Sequence, residues 1–340
     1  MPNAVRRPAT RAGPGSERPV ISVLCGAGDR PPLLERLAPV ADIRYAEHAR
    51  EALPAADVLL AWDFAAHTVR DGWDQADRLR WVHVAAAGVD RVLFPELVQS
   101  DVVVTNARGV FDRPIAEYVL MCVLAHAKGL YRSRDLQRQR HWEHRETANI
   151  SGASVLVVGT GAIGRAIARL LRAAGMEVKG AGRTAREGDP DFGSVLASSD
   201  LAAYLPDADY LVLAAPLTPQ TRGLIDAGAL SRLKPSAFLV NVGRGACVEQ
   251  AALRAALAEG RLAGAALDVF ESEPLPAGDP LWDAPGVFIS PHMSGDFAGS
   301  LELLAGQFIE NVHRWTSGQP LRNVVDKSLG FVDQAPDRNE

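Results

Sequence analysis

Apolar segments alternate with helical patterns along the first third of the chain. Val20–Cys25 predicts a first strand. Further helical and strand-like segments follow it in alternation: Pro32–Leu37, Val58–Trp62, Trp81–Val84 and Val102–Thr105. Strands separated by helices pair in parallel, because each helix carries the chain back to the same edge of the sheet. This part of the chain therefore predicts an α/β unit with a parallel sheet.

The alternation resumes after a long helical pattern from Arg113 to about Tyr131, where Pro114 suits the first turn. Six apolar segments then predict strands: Val155–Val158, Glu177–Ala181, Tyr210–Ala214, Ala237–Asn241, Gly264–Asp268 and Val287–Ile289. Further helical patterns lie between and after them: Arg165–Ala174, Gln250–Glu259 and roughly Gly299–Thr316. Six strands with intervening helices complete one doubly wound unit. The predicted fold class is α/β with two doubly wound parallel-sheet domains.

The first of these six strands runs directly into a G-x-G-x-x-G turn. Residues 155–164 read Val-Leu-Val-Val-Gly-Thr-Gly-Ala-Ile-Gly, and an amphipathic helix follows. In this pattern Gly159 allows the tight turn, Gly161 lets the backbone approach a pyrophosphate, and Gly164 lets the helix pack close to the strand. The pyrophosphate would bind the open amides at the helix N-terminus, around Ala162 and Ile163. The pattern predicts a dinucleotide site, and the alternative is a glycine-rich structural turn.

The turn lies in mid-chain, behind a complete α/β unit, and this position predicts an inserted domain. We expect a dinucleotide-binding Rossmann domain over residues 111–295. The flanking segments, 20–110 and 296–340, would form a flavodoxin-like substrate domain, with ligands bound in the cleft between the two domains. Residues 1–19 are rich in Arg and Pro and have no apolar segment, which predicts a disordered tail and not a secretory signal.

Composition excludes several classes of protein. The 340 residues suit about two domains, and 47% hydrophobic with 23% charged residues is typical of a globular protein. A net charge of −5 gives no basic field for nucleic acid. The longest apolar run, near Tyr118–Ala127, is too short to span a membrane. The three cysteines, Cys25, Cys122 and Cys247, form no C-x-x-C pair, so we predict no metal site and a reducing, cytoplasmic location.

Three charged side chains follow successive strands of the second unit. Arg244 comes after Ala237–Asn241, acidic residues come after Gly264–Asp268, and His292 comes after Val287–Ile289. Alone, each has an ordinary alternative as an exposed loop arginine, a solvated acidic loop or a structural histidine. Together they suit carbonyl reduction, because an arginine binds and polarises the substrate, a histidine exchanges the proton and a carboxylate orients the imidazole.

On these residues the chain resembles the D-isomer-specific 2-hydroxyacid dehydrogenases, over roughly residues 80–325. Five motifs occur in the family's order: 157–164, Pro-Leu-Thr-Pro-Gln-Thr-Arg-Gly-Leu-Ile (216–225), Asn-Val-Gly-Arg-Gly (241–245), Leu-Asp-Val-Phe-Glu-Ser-Glu-Pro (267–274) and Ser-Pro-His (290–292). The resemblance implies that Arg244, Glu273 and His292 are catalytic. Glu273, the acid directly before Pro274, takes this role and not Glu271.

The resemblance also implies ligand-binding residues. Asp268 would contact the nicotinamide end of the cofactor, and further cofactor contacts are expected at Pro216, Val242, Gly243 and Gly295. The segment Ala86-Ala87-Gly88-Val89-Asp90 matches the family's substrate loop, commonly Gly-x-Gly-x-Asp, with Ala86 in place of the first glycine. The amides of Ala87 and Gly88 would then bind the substrate carboxylate, together with Arg244 and His292.

The end of the second Rossmann strand indicates which nicotinamide cofactor is used. An NAD enzyme usually places Asp or Glu there to bind the ribose 2′-hydroxyl, but Gly182 occupies this position. Arg183 and Thr184 follow at once, and a cation with a hydroxyl suits a 2′-phosphate better. We therefore predict that NADP(H) is preferred, with use of NAD(H) as the alternative.

The predicted function is hydride transfer between NADP(H) and a small 2-oxo or (R)-2-hydroxy acid. The resemblance is strongest to glyoxylate/hydroxypyruvate reductases, which favours glyoxylate or hydroxypyruvate, and it implies a homodimer. His141 and Trp142 lie just before the first strand of the cofactor sheet and either shape the pocket across such a dimer or lie on the surface. Two alternatives remain open: a dehydrogenase of the same fold for a bulkier 2-oxo acid or for phosphite, and a cofactor-sensing, corepressor-like binding protein.

Overall fold

The structure is a computed structural model that describes residues 18–62 and 69–333. The predicted N-terminal tail, 1–19, lies outside the described residues except for its last two positions. The chain divides into two compact units. Unit 1 comprises Met1–Val110 and Ala298–Glu340, and unit 2 comprises Phe111–Phe297.

The described residues form strands and helices of the following extents. The strands are β1 Val20–Leu24, β2 Asp42–Ala46, β3 Val58–Ala61, β4 Trp81–Val84, β5 Val103–Asn106, β6 Ser154–Val158, β7 Glu177–Gly182, β8 Arg186–Asp189, β9 Gly193–Ala197, β10 Tyr210–Leu213, β11 Phe238–Asn241, β12 Gly264–Leu267 and β13 Val287–Ile289. The α-helices are α1 Ala49–Ala52, α2 Pro95–Gln99, α3 Asp112–Ala127, α4 Leu130–Arg138, α5 Ala162–Ala173, α6 Ala227–Leu230, α7 Gln250–Ala258 and α8 Ser300–Thr316.

Unit 1 is built on a parallel sheet in the order β2-β1-β3-β4-β5, which is the flavodoxin-like order. Strand β2 was not predicted, because its residues, Asp-Ile-Arg-Tyr-Ala, include no apolar run and the strand lies at the sheet edge, partly exposed. The predicted helical segment at Pro32–Leu37 is a single 3₁₀ turn, Leu34–Leu37. Helix α8, from the C-terminal segment, packs on this sheet through Phe308, whose ring centroid lies 5.4 Å from that of Trp81.

Unit 2 is built on a sheet in the order β8-β9-β7-β6-β10-β11-β12-β13. All six predicted strands are present and pair in parallel. The prediction of a purely parallel six-stranded sheet was nevertheless incomplete, because β9 extends the sheet beyond β7 and β8 pairs with β9 in antiparallel orientation. Strand β8 reads Arg-Glu-Gly-Asp and therefore gave no apolar signal.

The central strand of unit 2 is buried on both faces. Val155 and Val157 point into one apolar core, and Leu156 and Val158 point into the other. This continuous burial explains why β6 is a run of apolar residues and not an alternating pattern. The helix predicted to run to Tyr131 ends at Ala127 instead, because Gly129 adopts the left-handed conformation (φ 59°) before α4 begins.

Among the described residues, no helix is both long and apolar enough to cross a membrane. Within the same ranges, no group of three or more His, Cys, Asp or Glu side chains could hold a metal ion. Cys25, Cys122 and Cys247 are buried and form no disulfide bonds with one another.

Candidate active site

The glycine turn after β6 has the geometry that a dinucleotide requires. Gly159 has a φ of +108°, and a Cβ there would lie 2.7 Å from the backbone of Ala214. A Cβ on Gly164 would lie 1.8 Å from the carbonyl oxygen of Gly159, so neither position can carry a side chain. Gly161 is exposed and caps α5, whose first-turn amides have no partners within the helix. Helix α5 begins at Ala162, directly after the turn. The residues present therefore fit a pyrophosphate.

The end of β7 carries no acid, and the structure adds a second reason for this. A Cβ on Gly182 would lie 2.8 Å from the Oγ1 atom of Thr160, which is the central residue of the glycine turn. The close approach of the two segments favours glycine at this point. Arg183 and Thr184 follow and are both exposed. The expected cation and hydroxyl thus stand together directly after β7.

An ion cluster that the local sequence does not reveal holds the β8–β9 hairpin against α5. The carboxylate of Asp189 is only 2% exposed and accepts hydrogen bonds from Arg165 Nη2 (3.0 Å) and Arg186 Nε (2.8 Å). Burial alone would raise the pKa of Asp189, but these hydrogen bonds outweigh it and hold the pKa well below its usual range. The segment after Gly182 is therefore fixed at both ends, by β7 and by the cluster.

The other expected cofactor residues lie at neighbouring strand ends of unit 2. Pro216 follows β10 and is half-buried, while Val242 follows β11 and is buried. A Cβ on Gly243 would lie 2.8 Å from the carbonyl oxygen of Ala215, so this glycine is required by the approach of the two loops. Gly295 lies in the loop after β13.

Arg244 is delivered by β11 and is half-buried. The side chain of Asn241 shapes its loop, because Oδ1 accepts the amide of Gly243 (3.1 Å) and Nδ2 donates to the carbonyl of Arg244 (3.1 Å). Arg244 Nη1 donates to the carbonyl of Gly243 at 2.8 Å. Gly245 is sterically required, because a Cβ there would lie 1.8 Å from the carbonyl carbon of Phe270.

Glu273 and His292 form a direct pair. Glu273 Oε2 lies 2.9 Å from His292 Nδ1, and Glu273 Oε1 accepts the amide of Phe270 at 3.0 Å. Glu271 instead accepts the amide of Gln250 at the start of α7 (3.0 Å). The structure thus pairs the histidine with the acid directly before Pro274, and this is the acid that the motif indicated.

Asp268 is completely buried, and the loop after β13 wraps around it. Its Oδ1 accepts hydrogen bonds from Ser290 Oγ (2.5 Å) and from the amide of Met293 (2.9 Å). Its Oδ2 accepts the amide of Ser294 (2.9 Å). In the structure, the carboxylate of Asp268 therefore holds the loop that carries His292 through hydrogen bonds.

The expected substrate loop lies in unit 1, directly after β4. The carbonyl of Ala87 accepts a hydrogen bond from Asn106 Nδ2 at 2.6 Å, and the carbonyl of Ala86 accepts the amide of Ala107 at 3.0 Å. Ala87 and Gly88 are half-buried. The loop is fixed through its carbonyl oxygens.

Comparison with known proteins decides the family. The model of the "D-isomer specific 2-hydroxyacid dehydrogenase, NAD binding domain" matches residues 120–294. The glyoxylate reductase of Thermococcus gammatolerans is 32% identical over 266 residues, which are 76% of this chain and 79% of that protein. The chain belongs to the D-isomer-specific 2-hydroxyacid dehydrogenase family. The glycerate dehydrogenase of Methylorubrum extorquens is a further relative, 31% identical over 75% of this chain and 82% of its own length.

Solved structures of the D-isomer-specific 2-hydroxyacid dehydrogenases also match the whole fold. An NADPH-dependent glyoxylate/hydroxypyruvate reductase from Sinorhizobium meliloti, in complex with NADP and sulfate, has a TM-score of 0.79 and 29% identity, covering 93% of this chain and all of that one. A family member from Xanthobacter autotrophicus, in complex with NADPH and MES, has a TM-score of 0.78 and 31% identity over 93% of this chain and all of its own.

Membership of the D-isomer-specific 2-hydroxyacid dehydrogenases makes the chain an oxidoreductase of 2-hydroxy acids that binds a nicotinamide dinucleotide. The sequence-based predictions of the family, the fold class and the enzyme class are confirmed. Sequence reasoning missed three residues around the site: Ser290, Asp189 and Tyr118, whose hydroxyl is hydrogen-bonded to Ser290 Oγ. Ser290 stood in the Ser-Pro-His motif and could have been found there, whereas Tyr118 and Asp189 gave no local signal.

Proposed function

We propose that this dehydrogenase reduces a small 2-oxo acid, glyoxylate or hydroxypyruvate, with NADP(H) as the preferred cofactor. The observation that carries the proposal is the contact of 2.9 Å between Glu273 and His292. Arg244 follows β11, Glu273 follows β12 and His292 follows β13. These three strands are neighbours in the same parallel sheet. The relatives named glyoxylate reductase and glycerate dehydrogenase support the substrate class. Unit 2 is then the cofactor domain and unit 1 the substrate domain.

In the proposed mechanism, each residue has a separate task. Arg244 binds the substrate carboxylate with its planar guanidinium and polarises the carbonyl group. His292 donates a proton to the carbonyl oxygen, and Glu273 orients the imidazole and stabilises its charged form. The amides of Ala87 and Gly88 also bind the carboxylate. The nicotinamide supplies the hydride when it is bound.

Two matched variants test the acid/base pair. Glu273→Gln removes the charge beside His292, whereas Glu271→Gln changes the neighbouring acid, which accepts the amide of Gln250 at the start of α7. General acid catalysis contributes about 10²–10⁴-fold, so we expect kcat to fall by at least about tenfold in Glu273→Gln and to stay near wild type in Glu271→Gln. His292→Ala is expected to lose about 10²-fold or more in kcat while NADPH still binds. Wild-type turnover in His292→Ala contradicts the mechanism.

The preference for NADP(H) rests on the residues after β7. Gly182 leaves no carboxylate that would repel a 2′-phosphate, and Arg183 with Thr184 offers a cation and a hydroxyl. The test is the ratio of kcat/KM for NADPH over NADH, which is expected to exceed one. Arg183→Gln should lower this ratio, and Lys179→Gln, at an exposed position of β7, should not. A wild-type ratio below one would instead support NAD(H).

The substrate is tested by the oxidation of NADPH against glyoxylate, hydroxypyruvate, pyruvate and phenylpyruvate in parallel. We expect the highest kcat/KM for glyoxylate or hydroxypyruvate. Higher values for phenylpyruvate would indicate a bulkier 2-oxo acid. Reduction of NADP⁺ that depends on phosphite would indicate phosphite as the substrate.

We further propose that the enzyme is a homodimer in the cytoplasm. Large apolar side chains are exposed on α3, on α4 and after α4: Met121 (43%), Leu124 (37%), Leu130 (53%) and Trp142 (96%). Large apolar side chains that are exposed in this way favour association. Light scattering at micromolar concentration is expected to give twice the 36.3 kDa mass of the chain, and a monomer would contradict the proposal. Cell fractionation tests the location.

A further inference from the structure

The loop that carries His292 is wrapped around a buried anion. Three donors from residues 290–294 converge on the carboxylate of Asp268, and the side chain of Asp268 is fully buried. A buried carboxylate is costly unless hydrogen bonds replace its hydration. Because the two amides and the hydroxyl supply this replacement, moving the loop would leave a buried charge without partners.

His292 lies inside this wrapped segment in an unusual backbone conformation. Its φ is +53°, in the left-handed region, which is unfavourable for a residue with a side chain. Its amide donates to the main-chain carbonyl of Asp268 at 2.8 Å, and the two residues that follow donate to the carboxylate. The backbone bonds around Asp268 therefore maintain this conformation and set the direction in which the imidazole leaves the chain.

A tyrosine from a distant helix completes the arrangement. The hydroxyl of Tyr118, on α3, is hydrogen-bonded to Ser290 Oγ. Ser290 has one proton and gives it to Asp268 at 2.5 Å, so the bond with Tyr118 must be donated by the tyrosine. Burial raises the pKa of Tyr118 well above its usual range, so the phenol keeps its proton at any ordinary pH.

We propose that Tyr118 and Ser290 are positioning residues for His292, and this rests on the proposed role of His292 as acid/base. Tyr118 fixes the Ser290 hydroxyl on Asp268, and Asp268 holds the loop with His292 in its left-handed conformation beside Glu273. Without the phenol, Ser290 Oγ loses its buried donor and is free to turn away from the carboxylate. The loop can then relax, and the imidazole moves away from Glu273. Proton transfer is slowed, while the glycine turn that binds the pyrophosphate is left as it was.

The test compares Tyr118→Phe and Ser290→Ala with Tyr131→Phe as a matched control. Tyr131 stacks on Phe288 of β13 with ring centroids 5.4 Å apart, and the ring of Tyr118 lies 6.5 Å from the same Phe288. A displacement of about 1 Å can cost 10²-fold in rate. We expect kcat to fall by about tenfold in the two test variants, with the Kd for NADPH and KM within about twofold of wild type. The solvent deuterium isotope effect on kcat should rise, because the proton-transfer step alone is slowed. Tyr131→Phe should match wild type in each measurement.

A crystal structure of cofactor-free Tyr118→Phe or Ser290→Ala gives a measurement that does not depend on turnover. We expect the distance from His292 Nδ1 to Glu273 Oε2 to exceed 2.9 Å and the φ of His292 to leave the left-handed region. Unchanged kcat in both variants overturns the inference, and so does a loss of stability or affinity with no change in the isotope effect. His292→Ala is measured in parallel. If it retains turnover, the proposed acid/base role fails, and if it is inactive while Tyr118→Phe and Ser290→Ala match wild type, only the positioning inference fails.

Discussion

Acidification is expected to destabilise unit 1 through one buried histidine. His83, in β4, has no solvent exposure, and its Nδ1 lies 2.8 Å from Thr105 Oγ1. Its ring lies against Phe308 of α8, with centroids 5.3 Å apart. Its Nε2 is buried with no hydrogen-bond partner among the residues that the structure describes. Burial lowers the pKa of His83 from 6.5 to about 3, since a charged imidazole would have no water around it.

The direction and size of the effect follow from linkage. Between pH 6.5 and pH 3 the unfolded chain binds a proton at His83 and the folded chain does not. The free energy of unfolding is therefore unaffected by this group above pH 6.5 and falls as the pH drops below it. At 1.36 kcal/mol per pKa unit, the shift of the His83 pKa corresponds to a total loss of about 5 kcal/mol in the free energy of unfolding. About 2 kcal/mol of this stability is already lost at pH 5.

Urea unfolding measured between pH 7.5 and pH 5 tests this expectation. The free energy of unfolding of wild type should fall by about 2 kcal/mol more than that of His83→Gln over this interval. His313→Gln, at an exposed histidine of α8, should keep the wild-type pH dependence. Parallel pH curves for wild type and His83→Gln would refute the reasoning, whatever the absolute stability of the variant.

Three further predictions concern the cofactor site and unit 1. Gly164→Ala places a Cβ 1.8 Å from the carbonyl oxygen of Gly159, so it should weaken NADPH binding by at least about tenfold in a fluorescence titration, and unchanged binding would contradict the described turn. Asp189→Asn removes the charge that fixes Arg186, and this loosens the segment after Gly182 that carries Arg183. The ratio of kcat/KM for NADPH over NADH should therefore fall by about tenfold in steady-state kinetics. Lys327→Met removes an ammonium that donates to three carbonyl oxygens at and beyond the end of α2, and calorimetry should find a stability loss of about 1–2 kcal/mol.

The sequence predicts those elements whose burial leaves an unbroken apolar pattern. The apolar run that begins at Val155 predicts a central strand because both faces of β6 are buried. Strands β2 and β8 lie at sheet edges, where polar residues are tolerated, and their residues carry no such pattern. These two polar edge strands are therefore a part of the fold that the local sequence does not reveal, whereas the edge strands β5 and β13 carry apolar runs and were predicted.

The same distinction applies to the site. Glu273 and His292 each lie within a short motif, so the spacing of the motifs was enough to suggest the pair. The bond between Tyr118 and Ser290 joins residues 172 positions apart, and only the packing of α3 against the sheet brings them together. Such contacts depend on the tertiary fold and leave no trace in the local sequence.

The two-segment construction of unit 1 has a consequence for synthesis on the ribosome. Strands β1 to β5 emerge first, but α8, which covers Trp81 and His83 through Phe308, follows only after the whole of Phe111–Phe297 has been made. At about 5–20 residues per second, these roughly 190 residues take about 10–40 s to translate. Unit 2 is continuous and can fold during this time. The nascent sheet of unit 1, in contrast, keeps an aromatic face exposed until α8 has been made. We therefore expect chaperones that bind apolar nascent chains to associate with translation intermediates that contain β1 to β5 and to leave once α8 has emerged.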